Sequence, residues 1–168
     1  MKAHINTYCI ERKQILPIGL EQAWQFFSNP ANLRSITPPW LDFTITSKIP
    51  EVIYPGLIMT YRIRPLGGIA VSWVSEITHV QAPYYFVDEQ QSGPYRFWRH
   101  QHLLKVSDTG VDVIDTVNYQ LPLGVIGMAL HTVWVKPRLD EIFRFRYHAL
   151  AHYFDETSNE RKQNEKLN

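Results

Sequence analysis

Cysteine is almost absent. Cys9 stands alone among 168 residues, so no internal disulfide can form. The chain must therefore hold together through its core, and its thiol content fits a reducing, cytoplasmic setting. Charge of one sign is also scarce. The 17 basic and 16 acidic residues leave a net charge of +1, which gives no electrostatic footprint for nucleic acid or an anionic membrane surface. The opening MKAHINTYCIERK has neither a continuous apolar stretch nor a small-residue cleavage signal, so no targeting peptide is expected there. Long apolar runs are missing as well. Residues 116–135 come nearest, with no Asp, Glu, Lys or Arg, over a length close to the ~20 residues that cross a bilayer. Asn118, Gln120, Pro122, Gly124, Gly127 and His131 interrupt that stretch. A strand running into a buried helix fits it better than a membrane span.

What the chain does have is core material. Hydrophobic residues make up 45% and charged residues 20%, the composition of one globular domain. Aromatic residues reach 13%, with five Trp, nine Tyr and eight Phe. Such rings fill cores and also line pockets for apolar ligands.

Periodicity orders the elements. Residues 5–16 predict a strand, and residues 20–28 a short helix with Ala23, Trp24 and Phe27 on one face. Asn29-Pro30 breaks that helix, and a second short one over 31–36 ends before Pro38-Pro39. The pattern then switches to period two. Strands are expected at 42–48, 57–64, 70–79, 84–91, 95–106 and 111–121, separated by turn sequences such as Tyr54-Pro55-Gly56 and Ser92-Gly93-Pro94. Short links between successive strands make an antiparallel meander. A long helix follows Pro137, with an apolar stripe of Phe143, Tyr147, Leu150 and Phe154 and an exposed Asp140–Arg144 pair. Residues 125–135 form either a shorter helix before it or the first part of one helix kinked at Pro137.

This order, with the segment SGPYRFWRHQH leading into a strand and LPLG before the final helix, resembles the START-like (Bet v 1-like, SRPBCC) superfamily, near its polyketide cyclase/dehydrase group. The resemblance spans roughly residues 4–155. It implies an α+β helix-grip fold: a curved antiparallel sheet of about seven strands wrapped on a long C-terminal helix, with two short helices after the first strand. Residues 1–155 would form one ligand-binding domain, and 156–168 a polar tail that frays. The superfamily's deep apolar cavity takes lipid, quinone, hormone or polyketide ligands. It has no universal catalytic motif, so the resemblance implies a pocket and not a reaction.

The candidate chemistry lies on the last hairpin. A turn at 107–110 pairs Val106 with Val111, Leu104 with Val113, His102 with Asp115, His100 with Val117 and Trp98 with Tyr119. Alternation then places Trp98, His100, His102, Leu104 and Val106 on the inward face. An imidazole opposite a carboxylate on a buried face has three readings. Asp115 can raise the basicity of His102 as a general base. The two can satisfy one another inside a core. They can also anchor the polar end of a ligand. On the preceding strand Tyr84, Phe86 and Asp88 would face His102, His100 and Trp98 across the Ser92-Gly93-Pro94 turn.

Other groups carry less. His148 and His152 have metal-ligand spacing on a helix, with Asp155 the one candidate third ligand, although a solvated helix face fits them better. His100-x-His102 could chelate on a strand but has no nearby Cys or further His. No metal or other cofactor is expected. Cys9 reads as a small core residue, and Gly67-Gly68 and Gly124-x-x-Gly127 as turn and close-packing positions. The leading expectation is a non-catalytic carrier or sensor for a small apolar molecule. Tyr84, Phe86, Trp98, Val117 and Tyr119 on the sheet and Phe143, Tyr147 and Leu150 on the helix would surround it, with Asp88, His100, His102 and Asp115 at its polar end. A polyketide cyclase or dehydratase using His102 as base is the enzyme alternative. A protein-interaction module with a collapsed cavity is the other. Either a monomer or a homodimer fits the sequence.

Overall fold

The computed structural model describes the backbone of residues 6–66 and 68–165, and their side chains except those of 66 and 156–165. Seven strands form one sheet in the order β1-β7-β6-β5-β4-β3-β2, antiparallel throughout. They are β1 (Tyr8–Leu16), β2 (Thr44–Ile45), β3 (Leu57–Leu66), β4 (Ile69–Gln81), β5 (Tyr85–Ser92), β6 (Phe97–Ser107) and β7 (Gly110–Gln120). Between β1 and β2 lie helix α1 (Leu20–Phe27) and two 3-10 turns, Pro30–Ile36 and Pro39–Leu41. Asn29 begins the first of these by accepting the Ala31 N–H on its side chain at 3.0 Å.

From Gly124 the chain stays helical to Glu165: α2 (Gly124–Leu130), a π-helical turn (His131–Val135) and α3 (Lys136–Glu165). The wider turn sits just before Pro137, whose missing N–H and ring cannot continue an ordinary helical ladder. The backbone of α3 thus runs past residue 155. The side chains of the expected polar tail lie outside the described residues. No described helix is long and apolar enough to cross a membrane.

From Val135 at the end of the π-helical turn, the inner face continues along α3 with Leu139, Phe143, Arg146, Leu150 and Phe154, all buried. Steps of four, four, three, four and four keep them on one stripe. Arg146 takes the place expected for Tyr147, which is 51% exposed. The sheet and α3 then meet in two apolar clusters. One joins Trp24, Phe26, Phe27, Phe86, Leu104, Val113, Leu150 and Phe154. The other joins Ile10, Trp98, Val117, Tyr119, Leu139 and Phe143. Along β6, β7 and α3 alike, polar residues separate the two. His100 and His102 stand between Trp98 and Leu104, Asp115 between Val113 and Val117, and Arg146 between Phe143 and Leu150.

Three smaller expectations change. Cys9 is exposed, because alternation on β1 buries its neighbour Ile10. Val106 is exposed at the tip of the β6–β7 hairpin, beyond the reach of the core. Asp140 pairs with Arg12 of β1 rather than with Arg144.

Candidate functional site

The curled sheet and α3 enclose a cavity of about 700 Å³. Its wall is mostly apolar, drawn from β3–β6, the 3-10 turns, α2 and α3. Trp73, Tyr95 and Trp98 form an aromatic corner, with Trp98 5.2 Å from Trp73 and 4.7 Å from Tyr95 between ring centroids. Asn29, Asn32, Thr37 and Arg138 also reach the wall, but its densest polar group is Asp88, His100, His102 and Arg146.

Two ladders build that group. The β6–β7 hairpin has the register read from its turn, with His102 opposite Asp115 and His100 opposite Val117. The β5–β6 register differs by two residues from the one expected: Phe86 faces His102 and Asp88 faces His100. The cause is the loop. The Gln90 side chain accepts the Tyr95 N–H at 3.3 Å and donates to the Tyr95 carbonyl at 2.7 Å, so a side chain bridges what a tight backbone turn would have closed. Tyr84 moves beyond the ladder's inner face and is 47% exposed.

The outcome is a symmetric pair of bridges. Asp115 Oδ1 lies 3.0 Å from His100 Nε2 and 2.7 Å from His102 Nδ1. Asp88 Oδ2 lies 3.5 Å from His100 Nδ1 and 3.4 Å from His102 Nε2. The rings are 3.8 Å apart between centroids, and Phe86 stacks on His102 at 4.2 Å. Behind them Arg146 Nε lies 3.4 Å from Asp115 Oδ2, with its guanidinium over the Phe27 ring. Ser75 donates to Asp88 Oδ1 at 3.1 Å.

Burial opposes each charge here, and the partners decide the balance. For Asp115 burial is outweighed by Arg146 and then His102, so its carboxyl titrates well below the ordinary range. Asp88 is also lowered, its burial overcome by the His102 hydrogen bond and the charge of His100. Asp115 overrides burial at His102 and raises it. Burial and the neighbouring charge of His102 lower His100. The first proton taken by the imidazole pair therefore goes to His102. Two carboxylates, Arg146 and that imidazolium then cancel. Tyr61, on the cavity wall, is kept a neutral phenol by burial and by the charge of Asp88.

Of the residues singled out in the sequence, Phe86, Asp88, Trp98, His100, His102 and Phe143 line the cavity. Asp115, Val117, Tyr119 and Leu150 are buried in the packing behind it. Tyr84 and Tyr147 lie at the surface. Sequence reading missed Arg146, whose signal was its position on the stripe between Phe143 and Leu150. It also missed Tyr61 and Trp73, since nothing in the sequence fixed the β3–β4 register. The third partner that His100-x-His102 lacked in sequence is Asp88, brought in by the two-residue shift.

No protein-family model and no curated protein matches the sequence. Solved structures match it throughout. Protein Ms6760 from Mycobacterium smegmatis is 17% identical, over 92% of this chain and 98% of its own, with a TM-score of 0.65. Zhui aromatase/cyclase from Streptomyces sp. R1128 is 12% identical, over 89% and 94%, with a TM-score of 0.67. Norcoclaurine synthase from Thalictrum flavum is 10% identical, over 94% and 99%, with a TM-score of 0.65. With its seven-stranded sheet gripping one long helix, this chain has the START-like (Bet v 1-like, SRPBCC) fold.

Proposed function

We propose that the chain binds a small, mainly apolar molecule in the cavity, with a polar group of that molecule seated against Asp88, His100 and His102. One observation carries this reading: a mostly apolar space of about 700 Å³ has Asp88, His100, His102 and Arg146 gathered together on its wall, Arg138 being the other charged residue that lines it. A volume of that size falls in the range of small-molecule sites, about 300–1,000 Å³, and a few convergent polar groups are what orient a ligand in such a site. An isoprenoid, a lipid or an aromatic metabolite with one oxygenated end has matching chemistry.

The cyclase alternative is less well served. A general base needs a free lone pair facing the substrate. Both His102 nitrogens face carboxylates, and the surroundings favour its protonated form. The comparison with an aromatase/cyclase supports only the shared fold. A collapsed interaction module is disfavoured by the cavity itself.

The test is thermal denaturation of the purified chain with quinones, fatty acids and aromatic polyketides, alongside native mass spectrometry for a co-purified passenger. Binding at 100 times Kd adds about 2.7 kcal/mol and should raise Tm visibly. Trp98→Ala should abolish the rise, while His102→Gln should change affinity without removing it. An empty protein that none of these compounds stabilises would sink the proposal.

A further inference from the structure

We infer that His100 Nδ1, His102 Nε2 and an Asp88 carboxylate oxygen form a binding site for a divalent transition ion of the zinc type, open toward the cavity. The inference stands on the cluster alone and holds whether or not the apolar ligand proposed above binds.

Spacing comes first. The three ligand atoms lie within 4.8 Å of one another. The two imidazole nitrogens stand 3.5 and 3.4 Å from Asp88 Oδ2. Charge-assisted hydrogen bonds are shorter, about 2.7–2.9 Å. A tetrahedral ion with bonds of about 2.0–2.1 Å holds its ligand atoms roughly 3.3–3.4 Å apart. The observed gaps are those of two corners of such a site rather than of a strong hydrogen bond.

Tautomers come second. Asp115 Oδ1 approaches His100 Nε2 at 3.0 Å and His102 Nδ1 at 2.7 Å. An ionised carboxylate only accepts, and its 2.7 Å contact with His102 Nδ1 is far shorter than the 3.4 Å from the Arg146 Nη2 donor to the same nitrogen, so both imidazoles carry N–H groups on the Asp115 side. In the neutral rings, His100 Nδ1 and His102 Nε2 then present lone pairs, both aimed at Asp88. Lone pairs facing a carboxylate repel unless a cation lies between. One imidazolium proton relieves one of the two contacts; a metal ion relieves both. A carboxylate that fixes the far N–H of a histidine ligand is the usual outer support of a metal site. Here Asp115 serves two histidines at once and is itself held by Arg146.

Access comes third. Asp88, His100 and His102 line the cavity, whereas Asp115 does not. Three protein ligands on one side leave a fourth position facing the space where a small molecule would lie, the arrangement of an open site. Away from this cluster, no three His, Cys, Asp or Glu side chains among the described residues gather in this way.

The full chain, stripped with a chelator and checked by circular dichroism, should be titrated with cobalt(II) and with zinc. One equivalent of cobalt should give the visible absorption of a tetrahedral site, and zinc should displace it. His100→Gln, His102→Gln and Asp88→Asn should each abolish the spectrum. Asp115→Asn should weaken zinc binding about 10–100-fold, and His148→Gln on the outer side of α3 should leave it unchanged. Should the buried variants fail to fold, ring ¹⁵N shifts of the unaltered protein serve instead: zinc must move His100 Nδ1 and His102 Nε2. A folded chain that binds neither ion, binding that survives in His100→Gln, or unmoved ring nitrogens would overturn the site and leave a proton-bridged cluster. Thermal shifts with apolar compounds are read separately, so either proposal can fail without the other.

Discussion

The β6–β7 floor of the cavity and the α2 segment that closes its other side invert the usual rule. The floor buries His100 and His102 of β6 and, behind them, Asp115 of β7, together with Arg146 of α3. The α2 segment carries no charge at all, yet Leu123, Val125, Ile126 and Val133 stand at the surface, Val125 with 78% of its area exposed. Hydropathy alone would have placed each set the other way. The difference lies in partners. Each charged group of the floor meets an opposite charge from another element, which offsets the cost of losing water. Val125 and Ile126 of α2 stay exposed, while Gly127 and Leu130, with Leu123 before the helix and Trp134 after it, line the cavity. Gly127 is fixed by contact, since a Cβ there would come within 2.2 Å of the Pro122 carbonyl oxygen.

The sharpest way to break the floor is Asp115→Asn. It leaves Arg146 buried without its counter-charge and His102 with Asp88 alone, at a cost of about 3–5 kcal/mol. A urea denaturation series should show this as a lower midpoint with an unchanged slope. Replacing both partners, Asp115→Asn with Arg146→Met, should recover part of the loss. A double variant as unstable as the sum of the singles would mean that the pair is uncoupled.

On α3 the comparison can be made within one helix. Leu150→Ala should cost about 2–5 kcal/mol, whereas Tyr147→Ala, three residues earlier and on the surface, should stay within about 0.5 kcal/mol. Equal effects would refute the assignment of the inner stripe.

These residues also show what was legible. The β6–β7 register could be read because a four-residue turn at 107–110 fixes it. The β5–β6 register could not, because a side chain, Gln90, closes that loop. The inner stripe of α3 was legible at Phe143, Leu150 and Phe154 and misread between them. Tyr147 looks apolar and Arg146 polar, and only the carboxylate waiting on β7 decides which is buried. The fold followed from periodicity and turns; the site needed counter-charges from three elements, and sequence order does not show which of them meet.

pH offers a finer separation on chelator-treated protein. His102 titrates above its ordinary 6.5, so its contribution is complete below that value and is lost as pH rises through its folded-state pKa. His100 titrates below 6.5, so the unfolded chain takes its proton first and stability falls as pH drops below that value. Stability should therefore peak shallowly near pH 6.5. His102→Gln should flatten the alkaline side and His100→Gln the first part of the acid side. Asp88 and Asp115, both lowered, add a steeper loss below their ordinary 3.8. Chevron or equilibrium midpoints across pH 3–9 would show a monotonic curve if the two imidazoles were equivalent.

The smallest effect belongs to α2. Val125 and Ile126 are exposed, so Val125→Gln and Ile126→Gln should change stability by no more than about 0.5 kcal/mol. That near-silence is what the comparison requires: if the floor is held by its partners and the outer face of α2 stands in water, only the floor should respond to a change of polarity. A loss of about 1 kcal/mol or more at either position would mean that the surface is covered in solution. Sedimentation of the unaltered chain across a concentration series would then show whether a second copy covers it.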